Sequence, residues 1–337
     1  MQVAETPRGS LTLEGDRLLL DWVYAKGGIQ FQSPVPADAL DSLTRAFERS
    51  RALGYIEEDA SIHAALSLAS GEGDLSRLPL SGHYRHFPSL EMPGLPRPMA
   101  FPTLRDPSPG VYPVVDSQAL LSDLIDAGCR IIQLRVKSLE RVAQDQTVKA
   151  ACRLAQQAPD CQLFINDYWE QAVEHGAYGV HIGQEDLLTA NLSRLRTADL
   201  RLGLSTHSYW EFARALWVAP SYIACGPIFP TRAKAMNWIP QGLANLRYWA
   251  AVSPLPVVAI AGIHAGNLAD VASTGAHAAA VIQAIVSTPK PAAAYQALQS
   301  QWLSIQAEPV NPKLHQRDGS SPQRHPTTMA RPTLSEA

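Results

Sequence analysis

Along the middle of the chain one short pattern recurs: a helical stretch ends at glycine or another small residue, a short connection follows, and an apolar, β-branched run begins. It reads Asp126-Ala127-Gly128-Cys129-Arg130-Ile131-Ile132, then Glu174-His175-Gly176-Ala177-Tyr178-Gly179-Val180, Val218-Ala219-Pro220-Ser221-Tyr222-Ile223-Ala224 and Ser273-Thr274-Gly275-Ala276-His277-Ala278-Ala279. A glycine just past the last helical turn takes the left-handed conformation that closes a helix, so helix, cap and strand follow in that order. A chain that repeats this unit brings each strand back in the same direction. The result is a parallel sheet covered by helices.

With the unmatched strands added, the candidates are residues 111–115, 131–136, 163–166, 179–182, 201–204, 222–225, 256–261 and 278–282. Most are short apolar runs rather than alternating ones, as burial on both faces requires. Eight βα units predict an α/β fold of the closed (β/α)8, or TIM barrel, kind over residues 111–306. An open doubly wound sheet is the rival, but no Gly-x-Gly-x-x-Gly follows the first strand.

The flanks read differently. Residues 1–78 predict a small α/β attachment, with a hairpin from Leu11 to Val23 turning at Gly15-Asp16 and a helix marked by Leu40, Leu43 and Phe47. No phosphate loop, metal spacing or nucleophile appears there, which points to a packing or interaction appendage. Residues 79–110 carry closely spaced prolines, as in Pro93-Gly94-Leu95-Pro96-Arg97-Pro98, and read as a linker because proline withholds a backbone donor from helices and central strands. Residues 307–337 are rich in Pro, Ser, Thr, Gln and Arg without apolar periodicity, the composition of a disordered tail.

A formal net charge of −3 over 337 residues gives no electrostatic footprint for nucleic acid, so small-molecule substrates are expected. Cys129, Cys152, Cys161 and Cys225 form no metal or redox spacing and read as reduced core thiols. The amino-terminal residues lack a signal-peptide pattern, and no apolar run approaches the ~18 residues that span a membrane. A cytoplasmic protein is the expectation.

Active sites of such barrels sit where strands end, so polar residues there are informative. In Gln133-Leu134-Arg135-Val136-Lys137 the period of two puts Gln133, Arg135 and Lys137 on one face. An inward Arg and Lys call for an anion, unless they form an ordinary surface ion pair. Asn166-Asp167 ends the third strand, and Gly183-Gln184-Glu185-Asp186 follows the fourth. Asp167 and Asp186 could share Mg2+, or each could cap a helix. Ser205-Thr206-His207 offers donors to a ligand or a helix cap, in equal measure. The stretch Gly226-Pro227-Ile228-Phe229-Pro230-Thr231-Arg232-Ala233-Lys234 is too long for a minimal connection and reads as a lid bringing Thr231 and Lys234 to a diphosphate. Gly262 after the seventh strand and Ile282-Gln283 after the eighth lie where these barrels bind phosphate, although Gly262 equally suits a tight structural turn.

Taken together, Gln133-Leu134-Arg135-Val136-Lys137, Ile165-Asn166-Asp167, Val180-His181-Ile182-Gly183-Gln184-Glu185-Asp186, Ser205-Thr206-His207, Gly226 to Thr231, Gln241-Gly242 and Ala261-Gly262-Ile263 make residues 111–306 resemble the thiamine phosphate synthase family. The resemblance implies a transferase that couples a pyrimidine diphosphate to a thiazole phosphate and releases diphosphate. It implies Mg2+ on Asp167 and Asp186; pyrimidine diphosphate contacts from Gln133, Arg135, Lys137, Asn166, Ser205 and Lys234; and thiazole phosphate contacts from Thr231, Gly262, Ile282 and Gln283. Arg135, Lys137, Lys234 and Ser205 would be catalytic. Two residues depart from the family pattern: Ala233 stands at a usual threonine, and Val136 at a frequent acidic residue. The alternatives are a thiazole tautomerase and a catalytically silent barrel that senses thiamine precursors. Retention of Arg135, Lys137, Asp167, Asp186 and Lys234 argues against the tautomerase.

Overall fold

The computed structural model describes residues 2–6, 9–14, 17–22, 29–32, 40–52, 59–60, 64, 89–91, 99–137, 140–231 and 240–307. Strands β1 (Gln2–Thr6), β2 (Gly9–Glu14), β3 (Arg17–Trp22), β4 (Ile29–Gln32) and β5 (Ser89–Glu91) form an antiparallel sheet in sequence order. The expected hairpin is β2–β3, with Glu14 opposite Arg17 across the anticipated turn. Helix α1 (Leu40–Ala52) follows this hairpin and β4, and buries Phe47.

Strands β6 (Gly110–Val115), β7 (Ile131–Leu134), β8 (Gln162–Asn166), β9 (Gly179–Ile182), β10 (Arg201–Thr206), β11 (Tyr222–Cys225), β12 (Val257–Ile260) and β13 (Ala278–Val281) close a parallel barrel. Pairing of β13 with β6 completes the ring. The helices between them are α2 (Gln118–Asp126), α3 (Arg141–Gln157), α4 (Trp169–Glu174), α5 (Leu192–Thr197), α6 (Tyr209–Val218), α7 (Gly242–Val252) and α8 (Leu268–Ala272), with α9 (Gln283–Val286) and α10 (Pro291–Ala307) after the last strand. The anticipated caps are present. Gly128, Gly176 and Gly275 have positive φ, and Ala219 takes the same left-handed conformation at φ 52 in the copy that lacks glycine.

All eight strands fall where the sequence puts them, with small shifts at their ends. The clearest is β7, which stops at Leu134 rather than at residue 136. Arg135 makes one further sheet bond, its N–H donating to the Val115 carbonyl at 2.7 Å. The backbone then leaves the sheet, and the Val136 carbonyl accepts instead from the Tyr168 hydroxyl at 3.0 Å.

The expected linker also needs correction, because parts of residues 79–110 are structural. Ser89–Glu91 adds an edge strand to the amino-terminal sheet. Residues 99–110 pack across the bottom of the barrel, where Phe101 and Leu104 are buried and Leu104 joins the cluster inside the ring. The Arg105 N–H donates to the Tyr178 hydroxyl at 2.8 Å, and that hydroxyl donates to Gln162 Oε1 at 2.7 Å. Prolines withhold donors, but Pro102 still offers its carbonyl, which accepts from the Ser221 hydroxyl at 2.6 Å. The sequence assigned to a disordered tail, from residue 308 onward, lies outside the described residues.

Two glycines make room for the barrel's inner aromatic layer. A Cβ at Gly203 would meet Tyr222 Cζ at 2.2 Å, and one at Gly179 would meet Phe164 Cε1 at 2.4 Å. Phe164, Tyr222 and Tyr112 fill this space, with Phe164 edge-on to Tyr222 at a centroid separation of 5.2 Å. The four cysteines are free and buried, as read from the sequence.

Candidate active site

The polar residues singled out by sequence gather at the carboxyl ends of β7 to β10. Gln133 is buried on the inner face of β7, with its amide nitrogen 3.3 Å from the Tyr112 hydroxyl. Arg135 is half-buried just past the strand, and its charge acts on Asp167, Tyr168 and His181. Lys137 does not point into an apolar interior as expected: it is exposed beyond the strand end, where its ammonium keeps its water. Tyr168 braces this loop from the neighbouring unit, since its hydroxyl also accepts from Gln144 Nε2 at 3.0 Å.

Asn166 ends β8 and is buried. Asp167 follows in a left-handed conformation at φ 63, and its N–H donates to the His181 carbonyl of β9 at 2.9 Å. Few non-glycine residues adopt this backbone. It turns the chain sharply at the mouth. The Asp167 carboxyl is raised above its ordinary range, first by partial desolvation and then by the negative charge of Asp186, against opposing effects from Asn166 and Arg135. Asp186 opens a 3-10 turn (Asp186–Leu188) and accepts from the Gly183 N–H at 3.1 Å. A carboxylate whose charge is disfavoured by burial and by a neighbouring carboxylate is one that a hard cation would relieve.

Ser205 and the cap of the following helix are separate. Helix α6 is capped by Ser208, whose hydroxyl accepts from the Glu211 N–H at 3.1 Å, while Glu211 Oε2 accepts from the His207 N–H at 2.7 Å and sits 2.8 Å from His207 Nδ1. The side chain of Ser205 is thereby left to the mouth, 2.9 Å from His181 Nε2. Gln184 supports it from the turn after β9, donating to the Ser205 carbonyl at 2.8 Å.

Beyond β11, Thr231 is half-buried at the described end of the long loop, and Arg232, Ala233 and Lys234 lie outside the described residues. The loop returns at Gln241, which is buried and donates its amide to the His207 carbonyl. Its Oε1 accepts from Asn245 Nδ2 at 2.8 Å and Trp249 Nε1 at 3.2 Å. Gln241 thus ties the start of α7 to the chain just after β10.

Gly262 has φ 71, and a Cβ there would meet Phe229 Cβ at 2.6 Å and the Pro230 carbonyl oxygen at 2.9 Å. The packing of Phe229-Pro230 over it demands a glycine there, a steric requirement separate from the phosphate contact the sequence suggests. Ile282 is half-buried ahead of the four-residue α9, and Gln283 is exposed with its Oε1 accepting from the Ser287 hydroxyl.

Sequence reasoning passed over the interior beneath this mouth. Tyr112, Tyr222 and His181 are all buried and hydrogen-bonded to one another and to Gln133 and Ser205. A visible signal was a histidine between Val180 and Ile182 in an otherwise apolar strand. Among the described residues, the three-residue grouping with metal-ligand reach is Asp145, Glu174 and His175. It lies between α3 and α4 on the outside of the barrel and does not involve Asp167 or Asp186.

Residues 111–285 match the family described as thiamine monophosphate synthase. The chain is 49% identical over 181 residues to thiamine-phosphate synthase of Serratia proteamaculans, which covers 53% of this chain and 85% of the relative. It is 45% identical over 205 residues to thiamine-phosphate synthase of Neisseria meningitidis serogroup B, covering 60% of this chain and 99% of that one. Thiamine phosphate pyrophosphorylase from Pyrococcus furiosus superposes with a TM-score of 0.54 at 26% identity, over 60% of this chain and 99% of that structure.

Proposed function

The chain belongs to the thiamine monophosphate synthase family, and from that premise we propose that its barrel mouth couples 4-amino-2-methyl-5-(diphosphooxymethyl)pyrimidine to 4-methyl-5-(2-phosphoethyl)thiazole in the cytoplasm, forming thiamine phosphate and diphosphate. The observation that carries this reading is the rim itself, where the charge of Asp167 is disfavoured first by burial and then by Asp186, and favoured by Arg135. A cationic side chain next to two mutually repelling carboxylates suits a metal-bound diphosphate, and the tautomerase alternative has no use for it.

In the reaction the bond from the methylene carbon to the diphosphate oxygen breaks, and its electron pair leaves with the diphosphate. The thiazole nitrogen then donates its lone pair to the cationic methylene, forming the carbon–nitrogen bond. No proton need move to a protein base. Arg135, Lys137 and Lys234 stabilise charge as it accumulates on the leaving group, which lowers the barrier more than uniform substrate binding does. Asp167 and Asp186 would hold Mg2+, which would neutralise charge on the diphosphate. Gln133, Asn166 and Ser205 orient the pyrimidine, and Thr231, Gly262, Ile282 and Gln283 receive the thiazole phosphate.

The metal assignment is tested by following diphosphate release against Mg2+ concentration in wild type and Asp167→Asn. The variant should require roughly 10–100-fold more Mg2+, at least the loss typical of disturbing a ligand's support. An unchanged Mg2+ dependence would remove this pair from the metal site.

A further inference from the structure

We propose that Tyr112, Tyr222 and His181 form a one-way hydrogen-bond relay inside the barrel that occupies the Ser205 oxygen and presents the Ser205 hydroxyl proton to the substrate. The relay deepens the function proposed above and rests on it for the identity of that substrate. Gln133 Nε2 lies 3.3 Å from Tyr112 Oη, which is 3.0 Å from Tyr222 Oη; that hydroxyl lies 2.7 Å from His181 Nδ1, and His181 Nε2 lies 2.9 Å from Ser205 Oγ. Every intermediate member is buried, Tyr222 completely.

Direction follows from counting donors. The Gln133 amide nitrogen only donates, so Tyr112 Oη accepts from it and must place its own proton elsewhere. The neighbouring acceptor is Tyr222 Oη, which Gln133 also supports by hydrogen bonding, so the Tyr222 proton is directed onward. Tyr222 in turn donates to His181 Nδ1, and a neutral imidazole that accepts at Nδ1 carries its proton at Nε2. Enclosed in the barrel interior with Tyr222 Oη against Nδ1, the imidazole is kept neutral by burial. The Nε2–H donates to Ser205 Oγ, which frees the serine proton for an acceptor at the mouth. Run in reverse with the same Gln133 amide, the chain leaves the Tyr112 hydroxyl proton in an apolar layer without an acceptor, the costlier arrangement. A serine free to rotate would spend part of its time donating to the histidine. Here it is fixed as a donor to the pyrimidine diphosphate.

Tyr112, Tyr222 and His181 are therefore positioning residues that act through Ser205. The closing test has two arms on the full chain. In 15N-labelled protein without substrate, the His181 ring should carry its proton on Nε2; a proton on Nδ1 would overturn the relay. This arm requires no turnover, so it stays informative even if thiamine phosphate is not the product. In the second arm, Tyr222→Phe should lower kcat about tenfold, the worth of one well-placed hydrogen bond, with the KM for the thiazole phosphate unchanged. In a Ser205→Ala background the same substitution should change kcat less than about twofold, since the residue it acts through is gone. Additive losses in the double variant would refute action through Ser205. Should Tyr222→Phe fold poorly by thermal melting, Tyr112→Phe serves in its place. It leaves the Tyr222–His181 bond intact, so it should lose less kcat and also vanish in the Ser205→Ala background.

Discussion

Replacing Gly203 with alanine puts a methyl group into space that the Tyr222 ring fills. The new Cβ would stand 2.2 Å from Cζ and 2.3 Å from the hydroxyl oxygen, whereas non-bonded carbons rest at about 3.5–4.0 Å. The ring must therefore move by more than about 1 Å. Its hydroxyl bonds at 2.7 Å to His181 and 3.0 Å to Tyr112 have no such slack. Overpacking a well-filled core costs about 1–3 kcal/mol, and two buried hydrogen bonds lost with it add roughly 1 kcal/mol each, for a total of about 3–5 kcal/mol. At about 2–4 °C per kcal/mol for a domain near this size, Tm should fall by about 6–20 °C. The control is Gly128→Ala, a position with φ of +85° but nothing within 4 Å of the new methyl, where only the left-handed backbone cost of roughly 1–2 kcal/mol applies. Tyr222→Leu vacates the collision, so in that background Gly203→Ala should cost little beyond Tyr222→Leu alone. Differential scanning calorimetry of wild type, the two glycine variants, Tyr222→Leu and the double variant reads this directly. A Gly203→Ala protein as stable as the Gly128→Ala control would refute the packing described for the inner layer.

Two further outcomes follow from buried polar groups. The His181 imidazole is pushed down to about 3 by burial, against an unfolded value near 6.5. Below pH 6.5 the unfolded chain binds a proton that the folded chain refuses, so the stability present above that pH drains away as pH falls toward 3, by at most about 1.4 kcal/mol per unit. Urea midpoints of wild type and His181→Asn in the presence of a chelator should converge over this window, and parallel curves would contradict a neutral buried histidine. In the amino-terminal segment, fully buried Asp59 accepts from the Trp210 N–H at 3.0 Å in the first turn of α6. Asp59→Ala should cost about 1–2 kcal/mol by thermal denaturation, as loss of a helix cap does, and no change would mean the segment does not brace the barrel.

The barrel was legible because its signals are local. Apolar β-branched runs mark strands, and a capping glycine needs only its own backbone, so residues 131, 179, 222 and 278 could be placed without knowing their neighbours. The linker misled because proline spacing reports on backbone donors and says nothing of side chains such as Phe101 and Leu104, which find a barrel floor to cover. Ser205 was undecidable by residue type, since a hydroxyl after a strand serves a cap or a ligand equally well. Only the structure shows Ser208 taking the cap. At Gly262 residue type could not show that Phe229 and Pro230 lie across it. The inner relay joins β6, β9, β10 and β11, and no spacing along one chain reveals that four strands aim hydroxyls and an imidazole at one another.

Purified protein incubated with the pyrimidine diphosphate, the thiazole phosphate and Mg2+ tests the central claim most directly, with thiamine phosphate and diphosphate both quantified. A synthase yields equal amounts of the two products, none when either substrate is omitted, and loses turnover in Arg135→Ala with folding retained. Intact binding of both substrates without product would contradict it and leave a sensor, and conversion of a thiazole carboxylate phosphate without any pyrimidine would leave an isomerase.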